Sequence, residues 1–278
     1  MLFNIAKSGV YPIAYNDKGE LLCDFGLPYP KNPGTLINEG RKFGQIALYV
    51  KFHTCNLYCS WVNYDNTGDN CKIKYCESEQ ISLLTFLKLI KRNTKDITNI
   101  VITGGEPLNH LDDLKIILYH LNKLRKYIIL ETNGTIYDET VSKYVNYLSI
   151  SPKLSTSIPW EKNLNGTDIP YIKTYALMHD KIRKNLKVIQ AYIDDCHKYP
   201  DKDFELKFQV SCPFDISELK TEFVDRLYNV LDQNVTLIAQ GSTSEQYRYT
   251  SQIAIDAAIE NNWFFSPRIY PQLVDKLN

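Results

Sequence analysis

Cys55 and Cys59 are separated by Asn56-Leu57-Tyr58 and follow directly on an apolar run of strand length, Gln45–Phe52. A Cys-x3-Cys-x2-Cys loop wraps three thiolates around one iron–sulfur cube and leaves the fourth iron open. Val62 stands at the third position of that spacing, and valine has no lone pair for iron. Cys71 and Cys76 lie further on, and either intervening segment is long enough to fold back. Together the four thiols also match the donor count of a structural zinc site, at irregular spacing. Thiols in a loop without metal are the remaining alternative. His53, beside the loop, suits a hydrogen bond within it better than a metal. Cys23, Cys196 and Cys212 are scattered and read as ordinary thiols.

Thr103-Gly104-Gly105-Glu106-Pro107 is the second motif. Two glycines after a strand let the backbone approach a ligand, because no Cβ intervenes. Amides exposed there suit a carboxylate or an amine, and Glu106 adds an anionic partner. A plain strand-to-helix turn is the alternative reading.

These loops need elements to hold them. Strand-like runs are Gln45–Phe52, Asn99–Thr103, Tyr127–Glu131, Tyr147–Ser151, Phe204–Val210 and Val235–Ala239. Between them lie helical patterns near Glu79–Arg92, Leu111–Arg125, Glu139–Tyr144, Ile172–Cys196, Ile216–Leu231 and Ser244–Asn261, with a loop over 152–170. Alternating strands and helices predict parallel strands covered by helices: an α/β fold, a partial (β/α)6 barrel with extra helices. Ligand sites in such folds lie at the carboxyl ends of the strands. Thr54–Cys59, Gly104–Pro107, Thr132–Thr135, Pro152–Ser155 and Gln240–Thr243 stand there, all rich in small or polar residues. Glu205 and Lys207 alternate with Phe204, Leu206 and Phe208, which puts both charges on one strand face.

The 278 residues balance 32 basic against 32 acidic side chains, so charge argues for neither a nucleic-acid nor a membrane partner. The tyrosine-rich stretches show no extended basic interleaving of the kind nucleic acid requires: between Tyr247 and Tyr249 stands a single basic residue, Arg248. No run is long enough to span a membrane, and a cytoplasmic protein is expected.

The ordered set formed by the cysteine loop, Thr103-Gly104-Gly105-Glu106-Pro107, Glu131-Thr132-Asn133-Gly134 and Ser151-Pro152-Lys153 resembles radical S-adenosylmethionine enzymes of the 7-carboxy-7-deazaguanine synthase family. Asn38-Glu39-Gly40, Phe208-Gln209-Val210 and Ser266-Pro267-Arg268 extend the likeness. It covers about 35–270, leaving 1–34 as an N-terminal extension of a single domain, 1–278. The resemblance implies conversion of 6-carboxytetrahydropterin to 7-carboxy-7-deazaguanine, begun by a 5′-deoxyadenosyl radical, with ring contraction and loss of ammonia. It implies S-adenosylmethionine, a 4Fe-4S cluster and Mg2+ as cofactors, an electron donor such as flavodoxin, and a homodimer. Gly104, Gly105, Glu106, Thr132, Asn133, Ser151, Pro152 and Lys153 would hold S-adenosylmethionine. Leu36, Ile37, Asn38, Glu39, Lys51 and Thr103 would face the pterin, with Glu106 and Lys51 in catalytic positions. Lys51 stands where the family often has arginine; the charge is kept and the bidentate fork is lost.

The departures fall on the metal side. The family's Cys-Asp-Thr reads Val62-Asn63-Tyr64, and Tyr64 is a poorer ligand for Mg2+ than threonine. Tyr270 replaces the usual histidine after the Pro-Arg pair. Two readings follow: an active synthase whose third thiolate comes from Cys71 or Cys76, or a cluster-free relative that binds S-adenosylmethionine, a pterin or a deazapurine, as a binding or regulatory protein.

Overall fold

The computed structural model describes residues 1–6, 9–11, 14–15, 21–22, 35–62, 68–70, 78–93, 97–159 and 172–268. The chain opens with short strands at Leu2–Ala6 (β1), Val10–Tyr11 (β2), Ala14–Tyr15 (β3), Leu21–Leu22 (β4) and Thr35–Leu36 (β5). Ile46–Phe52 (β6) leads to Ser60–Val62 (β7), Gly68–Asn70 (β8) and Ser78–Ser82 (β9). Helix Leu83–Asn93 (α1), strand Asn99–Gly104 (β10), helix Leu111–Lys123 (α2), strand Tyr127–Thr132 (β11), helix Glu139–Tyr144 (α3) and strand Tyr147–Ile150 (β12) follow. Next come helices Ile172–Arg183 (α4) and Leu186–Lys198 (α5), strand Asp203–Val210 (β13) and helix Pro213–Glu222 (α6). Strand Val235–Ala239 (β14), helix Ser244–Asn261 (α7) and strand Phe264–Ser266 (β15) complete the described chain.

The main sheet runs β15-β14-β13-β12-β11-β10-β6-β2 and curls into a half-barrel, as the alternating pattern predicts. From β6 to β15 every neighbouring pair is parallel, while β2 and β5 both lie antiparallel to β6. Each of the six expected strands is present, and β15 adds a seventh parallel one.

The helices differ from the expected pattern at their ends, for local reasons. The segment expected as a helix from Glu79 begins instead as β9, paired with β1. Helix α1 starts only at Leu83, where the Ser82 hydroxyl accepts the Thr85 N–H at 3.0 Å. The expected helix Ile172–Cys196 is two helices, because the Asn185 side chain accepts from the Val188 N–H and starts a new one. Pro213 stands in the first turn of α6, which its fixed φ favours, so this helix begins before Ile216. Of the expected loop 152–170, the described part reaches residue 159 and holds a 3-10 turn at Ser155–Ser157. No helix among the described residues is long and apolar enough to cross a membrane.

Both faces of the parallel strands are buried. Leu48, Val50, Ile100, Ile102, Ile128, Leu130, Leu148 and Leu206 pack beneath the helices. Ala47, Tyr49, Val101, Ile129 and Tyr147 form a smaller apolar layer on the other face, capped by Ile37. The turn after Ile37 plugs this inner space: Arg41 bonds Asp203 at 3.0 Å, and the Lys42 ammonium lies 4.8 Å from the Tyr147 ring centroid. Truncating the fully buried Ile102 to alanine removes contacts that the sheet and helices cannot close over. Ile102→Ala is expected to cost about 2–5 kcal/mol in urea unfolding. Leu177→Ala, at a 67% exposed position, is expected to shift stability by less than about 0.5 kcal/mol.

Candidate functional site

The two glycines of the β10 turn are required by a neighbouring loop. Gly104 has φ +116°, and a Cβ on it would lie 2.1 Å from the Phe52 carbonyl oxygen. A Cβ on Gly105 would lie 1.9 Å from the Thr54 carbonyl oxygen. The Gly105 N–H donates to Phe52 O at 2.9 Å and the Glu106 N–H to Thr54 O at 2.8 Å. The turn is therefore fastened along the start of the cysteine loop, and no side chain fits between them.

Glu106 is turned into the protein and fully buried. Its Oε1 accepts from the Leu108 N–H (3.2 Å) and the Thr132 hydroxyl (2.9 Å), and its Oε2 from the Asn133 N–H (2.7 Å). Burial pushes its carboxyl up to about 7, against the pull of those donors and of Lys153. The side chain thus braces the loop after β10 against the loop after β11.

Asn133 carries the brace to the first cysteine. Its Nδ2 donates to Asn56 Oδ1 at 2.8 Å and lies 3.8 Å from Cys55 Sγ, while its Oδ1 accepts from the Thr135 hydroxyl at 2.6 Å. The Leu57 N–H also points at Cys55 Sγ, at 3.4 Å. Cys59 is buried in a small apolar cluster with Leu57 and Trp61. Helix α4 holds the loop between them: the Tyr58 N–H donates to His179 Nδ1 at 3.1 Å, and the Tyr58 ring stacks on Tyr175 at 4.2 Å. His179 accepts at Nδ1, so its proton is on Nε2, facing Ser157 Oγ at 3.1 Å. His53 lies 4.8 Å, ring to ring, from His110, whose Nε2 is 2.8 Å from the Thr54 hydroxyl.

Val62 ends β7, in register with Gly68 of the antiparallel β8. Among the described residues no group of three His, Cys, Asp or Glu side chains is placed to hold a metal ion. Asn63, Tyr64, Cys71, Cys76 and Tyr270 lie outside the described residues. The described donors, two thiols and a valine position, therefore do not by themselves fit a three-thiolate cluster.

Beyond β12, Lys153 turns its ammonium back onto Ser151, 2.8 Å from Oγ. This loop rests on charged supports: Arg183 donates to the Lys153 carbonyl (3.0 Å) and to Glu218 (2.8 Å), and Glu218 accepts the Ser155 hydroxyl. Asp215 accepts the Thr156 hydroxyl at 2.7 Å, and burial raises its carboxyl to about 6.

A polar layer crosses the inner face of the sheet below these loops. Lys51 is in register with Thr103, Glu131 with Ser149, and Ser149 with Glu205. The Thr103 hydroxyl donates to Glu131 at 2.6 Å and joins the two halves. Lys207 bridges Glu131 and Glu39, at 2.8 Å to each, and Arg268 binds the other Glu39 oxygen at 2.7 Å. Glu205 accepts from the Ser149 hydroxyl (2.7 Å) and the Arg41 N–H (2.8 Å). Gly40 has φ +87°, and a Cβ there would meet Glu205 at 2.5 Å.

Of the residues expected to face a pterin, Glu39 and Thr103 thus share one bonded network, with Lys51 beside Thr103. Ile37 is buried in the inner apolar layer, Leu36 pairs with Ile46 on the sheet edge and is exposed, and Asn38 is half-buried. Lys207, Glu131, Ser149 and Arg268 were not among the expected site residues. The signal for them was charge at alternate positions inside a strand and the Ser-Pro-Arg stretch after one.

The chain is thus a curled parallel half-barrel whose strand-end loops after β10 and β11 meet the cysteine loop. Among solved structures, QueE from Escherichia coli shares the fold, with TM-score 0.54 and 20% identity over 84% of this chain and 90% of that one. In sequence, the chain is similar to proteins named 7-carboxy-7-deazaguanine synthase. It is 26% identical over 244 residues to the Halobacterium salinarum protein of that name, spanning 86% of this chain and 87% of the relative. The Haemophilus influenzae protein of that name is 24% identical over 170 residues, 58% of this chain and 72% of its own. No protein-family model matches the chain.

The buried Glu106 carboxyl predicts a pH effect. Its value of about 7, against 4.5 for an unperturbed carboxyl, means that the folded protein binds more protons than the unfolded chain between those limits. Glu106 therefore contributes stability that declines as pH rises through that window. Glu106→Gln is expected to flatten this part of the profile in thermal unfolding across pH 4.5 to 7.5; an unchanged slope would contradict the assignment.

Proposed function

We propose that this chain is a 7-carboxy-7-deazaguanine synthase, taking 6-carboxytetrahydropterin and S-adenosylmethionine into one pocket at the strand ends. The observation that carries the reading is the continuity of that pocket. The loop after β10 is braced through Glu106 to the loop after β11, whose Asn133 reaches towards Cys55; the Ser151 N–H after β12 donates to Thr132 O, and the strands below carry a layer of carboxylates and cations. Gly104, Gly105, Thr132, Asn133, Ser151, Pro152 and Lys153 form the S-adenosylmethionine side, with Glu106 holding their loops together. Glu39, Thr103 and Lys51 form the pterin side, with Leu36–Asn38 at its edge. Acceptors such as Glu39 suit the N–H groups of a pterin, and Lys51 suits its carboxylate.

For the cluster, Cys55 and Cys59 would supply two thiolates, with the third from Cys71 or Cys76. The course of β8 favours Cys71: Asn70 is in register with Ser60, and these two residues precede Cys71 and follow Cys59 in the chain. Mg2+ lacks the family's threonine, which Tyr64 replaces. A single domain, a homodimer, a flavodoxin-type electron donor and a cytoplasmic location complete the proposal by resemblance.

Anaerobic reconstitution, with iron and sulfide counted and 5′-deoxyadenosine assayed, tests this reading. A stoichiometric cube with 5′-deoxyadenosine formation is expected, and Cys71→Ala is expected to lose iron while Cys76→Ala retains it. Less than one iron per chain and no 5′-deoxyadenosine would sink the synthase reading and leave a ligand-binding relative. In that case Val62→Cys should restore the cluster. Asn133→Ala is expected to weaken S-adenosylmethionine binding at least about tenfold in calorimetry, about 1.4 kcal/mol or more.

A further inference from the structure

We propose that Lys207 is a positioning residue of the pocket, whose ammonium fixes Glu39 and Glu131 together as two ionised acceptors for the ligand. The inference rests on the pterin reading of the pocket and extends it to a residue that acts through its neighbours.

Lys207 sits on β13 with its side chain 3% exposed, and it makes an equal 2.8 Å contact to each carboxylate. The two partners come from distant parts of the chain. Glu39 belongs to the turn after β5, and Glu131 ends β11 just before the Thr132-Asn133 loop. Each carboxylate has its second oxygen fixed by another element: Glu39 by Arg268 at 2.7 Å, Glu131 by the Thr103 hydroxyl at 2.6 Å. One ammonium thus sets the distance between the pterin-side turn and the S-adenosylmethionine-side loop.

Charge makes the contact more than a prop. Glu39, Glu131 and Glu205 meet in this layer, faced by Lys207, Arg268 and, beside Thr103, Lys51. Tyr49, below Lys51 on β6, has its phenol raised by burial and by Glu131, so it stays neutral. Burial opposes ionisation of Glu39, yet Arg268 and Lys207 hold its carboxyl well below the usual range. For Lys207, burial is likewise outweighed by Glu131, Glu39 and Glu205, which keep it charged. Without the ammonium, carboxylates at close range in a buried layer are relieved by taking up a proton. A protonated carboxyl is a donor where an acceptor stood, so the pocket would offer the ligand the wrong partner. A purely structural prop would weaken binding of both ligands alike, so a pH-dependent loss confined to the pterin separates the two roles.

The test compares wild type, Lys207→Met and Lys207→Arg. The measurements are 6-carboxypterin binding by calorimetry from pH 5.5 to 8.5, S-adenosylmethionine binding as a check of the fold, and thermal unfolding over the same range. Lys207→Met is expected to bind 6-carboxypterin at least about tenfold more weakly at pH 7, with a titration absent from wild type. Lys207→Arg, which keeps the charge, is expected to stay within about threefold and show no new titration. Equal binding by Lys207→Met, or a loss that is parallel at every pH and shared by S-adenosylmethionine, would overturn the inference. If wild type binds no 6-carboxypterin, the pterin reading fails, and unfolding alone decides the role of Lys207. Stability of Lys207→Met should then fall as pH rises through the raised carboxyl value, against no such fall in Lys207→Arg. A constant offset at all pH would contradict the proposal.

Discussion

The Glu106 carboxylate is where the strand-end loops become one wall. Taking a carboxylate out of water costs several kcal/mol even after relaxation. Here the cost is offset in part by the Leu108 and Asn133 amides and the Thr132 hydroxyl, each bond to a charged acceptor contributing about 1.5–3 kcal/mol, and burial still leaves the carboxyl raised. Those donors belong to two different loops, so the bonds form together only in the folded barrel. Gly104 and Gly105 bring a third segment, Phe52–Thr54, into backbone contact with the same turn. The placement of Cys55 then follows, because Asn133 reaches from the braced loop to Asn56 and towards Cys55 Sγ.

The layer beneath solves a different problem. A half-barrel has an inner face that must be filled, and this chain fills its lower part with Tyr49, Val101, Ile129 and Tyr147, plugged by the turn carrying Arg41 and Lys42. Above them the filling changes to Lys51, Thr103, Glu131, Ser149 and Glu205. Polar residues at that depth are sustained only by bonding to one another, and each carboxylate here has its partners. The result is a preorganised polar floor at the end of the strands where parallel α/β proteins bind ligands.

Much of this was legible in the sequence. Six strands and their parallel pairing follow from apolar runs alternating with amphipathic segments, and the loops that the strand-end rule picks out include those bonded to the cysteine loop. The part hidden from it is side-chain direction. Glu106 reads as a group facing ligand, yet its carboxylate points inward; the two glycines read as making room for ligand, yet they make room for Phe52 and Thr54. Lys207 and Glu39 are distant in the chain, and no local pattern announces that they pair. Helix ends are hidden from the pattern where one side chain decides them, as Ser82 and Asn185 do.

The braced pocket walls contrast with the cysteine side, where Val62 stands at the third position of the Cys-x3-Cys-x2-Cys spacing and the chain pairs back on itself as β7 and β8. The similarity to the Halobacterium salinarum protein named 7-carboxy-7-deazaguanine synthase spans most of the chain despite that change. The most direct measurement is product formation. The anaerobically reconstituted protein, incubated with 6-carboxytetrahydropterin, S-adenosylmethionine, Mg2+ and a reductant, should yield 7-carboxy-7-deazaguanine by mass spectrometry. Absence of that product, under conditions in which the Halobacterium salinarum relative makes it, would contradict the account.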